Sequence, residues 1–142
     1  MFDRLKAIFA PKPPRIYQHP TYGRFEAEAG ELCWIAQLDH DHASLQLAIL
    51  GSDSQPDESR LRAAGDVFSN FASLRTAALD FIVREQPDSS REEFTLTGLD
   101  FGCISGLEPD DFEFEFARVG DIDGIWRVVF DSYVPTILGR DS

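Results

Sequence analysis

The stretch DDFEFEFARVGDIDGIWRVVF, Asp110–Phe130, decides the predicted fold, because acidic and aromatic residues alternate along it before a second apolar segment follows. Alternation with a period of two is typical of a strand that buries one face. The positions on that face carry large rings: Phe112, Phe114 and Phe116. Both strands bury the same face if the loop between them has an odd number of residues, and GDIDG (120–124) supplies five. The stretch therefore predicts an antiparallel hairpin in which Glu113 lies opposite Asp131.

Strand patterns also precede this hairpin. The segments YGRFEAEA (22–29), LCWIAQL (32–38) and ASLQLAIL (43–50) alternate in the same way, with short even loops between them, and predict an antiparallel meander. From about residue 57 to 85 apolar residues recur at spacings of three and four, which predicts one long helix. A strand pattern follows, and its buried parity changes at Gly98, where a β-bulge is expected.

The predicted fold is therefore α+β, with an antiparallel sheet of about six strands in the order βββ-α-βββ and one long helix packed on one face. The first 20 residues are interpreted as an amphipathic arm and a proline-rich linker, and 21–142 as a single domain. A short N-terminal helix is predicted within the arm, because four apolar residues fall on one helical face. They are Phe2, Leu5, Ile8 and Phe9.

The charge is strongly acidic, at −12 over 142 residues. Such a field repels nucleic acid and anionic membranes and attracts basic partners. No apolar run approaches the roughly 20 residues that span a bilayer, and the N-terminus lacks the features of a signal peptide. Cys33 and Cys103 lie in apolar strand patterns, which favours buried free thiols and a cytoplasmic protein over the alternative, a single disulfide.

The acidic residues of the hairpin are the predicted partner-binding surface, because a cluster of one sign that tolerates repulsion suits a basic partner better than mixed charges do. The alternative is a solvated face that protects the sheet from aggregation. The DHDH tip (39–42) adds two more acids to the predicted surface. The full set is Asp110, Asp111, Glu113, Glu115, Asp121, Asp123, Asp39 and Asp41.

Enzymatic motifs are scarce, and no catalytic residue, cofactor or metal site is predicted. DIDG resembles part of a calcium loop, but Val119 and Phe130 occupy positions where ligands are required. One alternative function is a small metal-dependent hydrolase that uses His40, His42 and nearby carboxylates. A second alternative is a structural subunit of a homo-oligomeric assembly, since the sequence leaves the oligomeric state open.

The layout YGRF, CWIAQL, helix, FTLTGLDFGCISG and FEFEFARVGDIDGIWRVVF resembles a loose class of small acidic bacterial domains of unknown function. Such domains are often found beside toxin genes and are taken to be immunity proteins. The resemblance covers roughly residues 22–131. It implies a cytoplasmic, non-enzymatic protein that neutralises a basic toxin by covering it.

Overall fold

One eight-stranded sheet and two helices make up the fold in the computed structural model, which describes residues 12–40, 42–104, 108 and 110–142. The strands are β1 Arg15–His19, β2 Gly23–Ala27, β3 Cys33–His40, β4 Ala43–Leu50, β5 Phe94–Phe101, β6 Asp111–Arg118, β7 Asp121–Asp131 and β8 Val134–Asp141. The helices are α1 Glu58–Ser69 and α2 Phe71–Glu85. A short 3-10 turn, Arg91–Glu93, leads into β5.

The strands lie in the sheet in the order in which they follow along the chain. All neighbours are antiparallel except β4 and β5, which run parallel because both helices lie in the crossover between them. The prediction of about six strands in a purely antiparallel sheet is therefore wrong: the sheet has eight strands, is mixed, and has the order ββββ-αα-ββββ.

The helical segment is divided in two, so the predicted single long helix is also wrong. Asn70 interrupts it, with φ −119° and ψ 23°, and serves as the C-cap of α1 and the N-cap of α2. Gly65, the expected weak point because of its low helix propensity, lies inside α1. The predicted N-terminal helix falls outside the described residues.

Helices and strands share one hydrophobic core. Alternate strand positions pack against the buried faces of both helices, as the apolar periodicities of the strands and the helical segment predict. The largest fully buried side chains come chiefly from the strands: Trp34, Phe25, Phe101, Phe112, Phe114, Phe116, Phe130, Leu45, Leu47, Ile49, Ile82 and Leu99.

The β6–β7 hairpin keeps the predicted buried face but not the predicted register. Its turn contains two residues, Val119 and Gly120, and most of the GDIDG segment belongs to β7. The register shifts between Phe116 and Arg118, and from Phe116 to the start of β6 the pairing differs by two residues from the prediction, which leaves the facing of these side chains unchanged. Glu113 pairs with Val129, and it is Asp111 that lies opposite Asp131.

The bulge expected at Gly98 is confirmed, because the β5–β6 register shifts between Leu96 and Gly98. The outermost strands were not predicted. Strand β1 lies within the segment interpreted as a linker, and β8 contains Pro135. Both are edge strands, where a residue without a free N–H is tolerated because one side of the strand needs no ladder partner.

The two cysteines are joined in a disulfide, so the prediction of free thiols is wrong. Cys33 begins β3, and Cys103 lies just beyond the end of β5, with 5.5 Å between their Cα atoms. The bond closes a segment of 70 residues and holds the start of the β5–β6 connection against the sheet. Neither described helix is long and apolar enough to cross a membrane.

Candidate functional site

An acidic turn cluster, formed by Asp110, Asp111 and Asp131, lies where β6 begins and β7 ends. Asp111 and Asp131 are directly paired across the two strands. In the described part of the chain none of the three forms a salt bridge. Partial burial and then the charge of Asp131 raise the pKa of Asp111, against the N–H of Ser132, which lowers it. The cluster is therefore a site of concentrated negative charge.

An exposed tyrosine borders this cluster. Ser132 and Tyr133 form the β7–β8 turn with φ angles of 49° and 70°, a left-handed conformation that bulky residues rarely adopt. Tyr133 is 43% exposed, and its ring meets that of Phe112 edge-on, with 5.8 Å between centroids. Val134 beside it is 59% exposed. The turn therefore presents an aromatic and an aliphatic side chain next to the acids.

A second group of acids, the buried carboxylate cluster, consists of Asp100, Glu113 and Glu115. One oxygen from each lies within 4.8 Å of the others. Asp100 is 2% exposed and Glu113 4%. Burial, and then the charges of Glu113 and Glu115, raise the pKa of Asp100 to about 6, although the N–H of Cys103 donates to it at 2.7 Å and opposes the shift.

Arg127 supplies positive charge to this cluster. Its Nη1 lies 2.6 Å from Glu115 Oε1 and 3.5 Å from Glu113 Oε2, and its Nε contacts Asp141. Three carboxylates at this spacing could hold a divalent cation, but the guanidinium already bonds two of them. Glu113 and Glu115 were expected on an exposed acidic face. The structure instead places them in a largely buried ion-pair network with Arg127.

The acids at the other end of the hairpin are also separated from the rest. Asp121 Oδ2 accepts hydrogen bonds from Trp126 Nε1 at 2.8 Å and Arg140 Nε at 2.7 Å, and Oδ1 from Arg140 Nη2 at 2.6 Å. These bonds lower the pKa of Asp121 to about 2. Asp123 is exposed. The predicted acids that the structure describes are therefore distributed over separate parts of the fold.

The two histidines of the DHDH tip have different surroundings. The His40 ring packs against Phe68 and Phe71, with centroid distances of 5.2 Å and 4.5 Å. His42 is exposed at φ 64°, and neither histidine belongs to a metal-ligating group among the described residues. Asp39 is exposed, and Asp41 lies outside the described residues.

An aromatic cavity of about 620 Å³ opens beside this tip, between the β1–β2 turn, the end of β3 and α1. Its ring-bearing walls are Tyr22, Phe68 and His40, and Tyr22 and Phe68 lie 5.7 Å apart between centroids. A neighbouring cavity of about 450 Å³ shares His40 and Phe68 and continues along the break between the helices. Cavities of this size with aromatic walls are typical of ligand or anchor sites.

Comparisons with family models, curated proteins and solved structures found no match. The function of this chain is therefore inferred from its own geometry. Two features were missed from the sequence. Asp100 lies in an apolar run that gave no signal of a buried carboxylate. The aromatic cavity joins Tyr22 to Phe68, which are 46 positions apart, so no local pattern could reveal it.

Proposed function

We propose that this chain is a non-enzymatic binding protein that recognises a basic protein partner at the acidic turn cluster. The observation that carries the proposal is the pairing of Asp111 with Asp131, beside Asp110, without a salt bridge in the described part of the chain. Like charges directly opposite each other on neighbouring strands destabilise a sheet by a few tenths to about 1 kcal/mol. A cationic partner would convert that repulsion into attraction.

The surroundings of the cluster suit a protein partner. Tyr133 and Val134 are exposed beside the acids, and aromatic side chains are enriched at the centres of interfaces. Tyr133 also holds an unusual backbone conformation, and such conformations cluster at functional sites. The acids would steer the encounter, while the tyrosine would supply desolvated contact area.

A toxin with a cationic surface is the partner class that the sequence resemblance implies, and neutralisation by covering is the corresponding mechanism. The disulfide bears on the compartment: bonds of this kind persist in oxidising surroundings and are rare in the cytoplasm. It favours an oxidising compartment over the cytoplasmic location predicted from the sequence. The mass of the protein recovered from its native compartment under alkylating conditions distinguishes the two.

The test uses a basic protein, cytochrome c, as the probe and measures association rates by stopped flow at several salt concentrations. The double variant Asp110→Asn with Asp131→Asn should associate several-fold more slowly at low salt, because steering charge is lost. A matched control removes two exposed acids elsewhere, through Asp88→Asn with Glu92→Gln. Equal slowing in both variants would show that net charge alone acts, and would overturn the assignment to the cluster.

A second candidate function is self-assembly, which the edge strand β8 favours. This strand ends the sheet, and Val134 and Ile137 on it are each 59% exposed. Exposed apolar edge strands pair readily with other chains. Light scattering that gives a stable dimer mass at micromolar concentration would support it, and a monomer mass would exclude it.

A further inference from the structure

The aromatic cavity has one continuous ring wall. Tyr22, Phe68 and His40 line it directly, and Phe68 stacks on Phe71 at 5.9 Å with an angle of 15° between the rings. The Tyr22 ring is itself backed by His19, which stacks on it at 4.8 Å. His19 is held in place because its Nδ1 accepts the backbone N–H groups of residues 21 and 22. The wall is thus supported from behind.

Negative charge lies at the mouth of this cavity. The Tyr22 hydroxyl lies against Gly65, at 3.6 Å from the point where a Cβ would stand, and Asp66 follows directly in α1. Asp66 and Asp39 are both exposed, and Asp39 is among the lining residues. Burial and then the charge of Asp66 raise the pKa of Tyr22, so the field of this acid reaches the cavity wall.

We propose that the aromatic cavity is an anchor pocket for an arginine side chain of the basic partner. A guanidinium is planar, stays charged, is weakly hydrated and stacks on aromatic faces, which matches a ring wall with acids at its rim. A lysine ammonium is a compact and strongly hydrated charge, so it gains less from stacking. This inference rests on the proposed function, since it specifies which side chain of that partner is recognised.

The experiment compares two capped peptides of equal charge, tri-arginine and tri-lysine, by NMR titration of the full chain. Wild-type protein should bind tri-arginine about fivefold more tightly, in line with the strength of cation–π contacts. The aromatic protons of Tyr22 and His40 should shift with tri-arginine. Phe68→Leu keeps the cavity apolar but removes an aromatic ring. This variant should therefore bind tri-arginine and tri-lysine with about equal affinity.

Charge and stacking are separated by a second variant. Asp66→Asn should weaken the binding of both peptides by a similar factor, and more than the control Asp88→Asn, because Asp66 adjoins the lining residue Gly65 and its charge acts on Tyr22. Since Asp66 is exposed, the variant should fold normally, which keeps the test valid if Phe68→Leu is unstable. Equal effects of the two Asn variants would overturn the anchor pocket.

The outcomes also separate this inference from the proposed function. If both peptides bind equally and salt weakens them alike, the acidic surface recognises charge, the anchor pocket is rejected and the proposed function stands. If neither peptide nor cytochrome c binds in low salt, the proposed function itself is rejected. An arginine preference that persists in Phe68→Leu would place the recognition elsewhere on the surface and would reject the pocket.

Discussion

Asp111 lies directly opposite Asp131 on the β6–β7 strand pair, and burial and then the charge of Asp131 raise the pKa of Asp111. A group with a raised pKa stabilises the folded protein fully below its unfolded pKa and loses that contribution as pH rises through its folded value. Above that range the pair lowers the stability of the fold. The protein therefore keeps two like charges opposite each other at the proposed partner-binding site.

Removing one of these charges should therefore stabilise the protein and weaken its binding. We expect Asp131→Asn to raise the free energy of unfolding at pH 7.5 by a few tenths to about 1 kcal/mol. The gain should vanish at pH 3, where Asp111 is protonated in the folded protein as well as in the unfolded one. Urea unfolding at the two pH values measures it. A variant that is less stable at pH 7.5 would contradict the repulsion.

Asp100 should make the stability of the protein depend on pH more strongly than the Asp111–Asp131 pair does. Its pKa of about 6 against an unfolded value of 3.8 means that ionisation opposes folding. The contribution of Asp100 to the free energy of unfolding is fully present below about pH 4. It falls by up to about 3 kcal/mol as pH rises through about 6. Asp100→Asn can keep an oxygen that accepts the Cys103 N–H, so it should stabilise the protein at pH 7.5 and change little at pH 4.

The control for this effect is Asp88→Asn, which alters the same charge at an exposed site. Denaturant midpoints of the three proteins from pH 4 to 8 give the profiles. A wild-type profile parallel to that of Asp100→Asn across this range would show that the carboxylate is ionised in the fold without penalty.

Reduction of the disulfide should destabilise the fold. Because the bond closes a segment of 70 residues, its loss should lower the free energy of unfolding by about 2–4 kcal/mol. The comparison is urea unfolding with and without a phosphine reductant. Cys103→Ser serves as the control, since its stability should be low and should not respond to the reductant. Two thiols that react in the unreduced, denatured protein would show that the bond is absent.

The sequence predicted which side of each strand is buried, but it did not predict which residues pair across neighbouring strands. The alternation around Phe114 assigned the buried face correctly, and the parity change located the bulge at Gly98. A register shift of two residues preserves every facing, so parity could not distinguish the predicted partner of Glu113 from Val129. That ambiguity is why the acidic pair was predicted at Glu113 and is found at Asp111.

Cross-strand and long-range relationships account for the other errors. Glu113 and Glu115 were predicted to be exposed, because in an alternating strand the polar side normally faces solvent. Arg127 forms ion pairs with both carboxylates, which allows both side chains to be largely buried. The helix divides at Asn70 and not at Gly65, although glycine has the lowest helix propensity in this segment and Gly65 lies inside α1. The partner-binding role of the acids stays a prediction.

Gly124 should control the ion pair at the other end of the hairpin. A Cβ there would stand 2.2 Å from Asp121 Oδ2, the oxygen that accepts from Trp126 and Arg140. Gly124→Ala should displace that carboxylate and destabilise the protein at pH 7. The control is Gly139→Ala, also in a strand, where an added Cβ meets nothing within 4 Å.

The effect of Gly124→Ala should depend on pH. Because the hydrogen bonds from Arg140 and Trp126 hold the pKa of Asp121 at about 2, the stabilisation is present above about pH 4 and is lost as pH falls through 2. The difference between the two variants in urea midpoint should therefore be large at pH 7 and shrink at pH 2. Equal midpoints at pH 7 would show that the carboxylate finds the same partners from a shifted position.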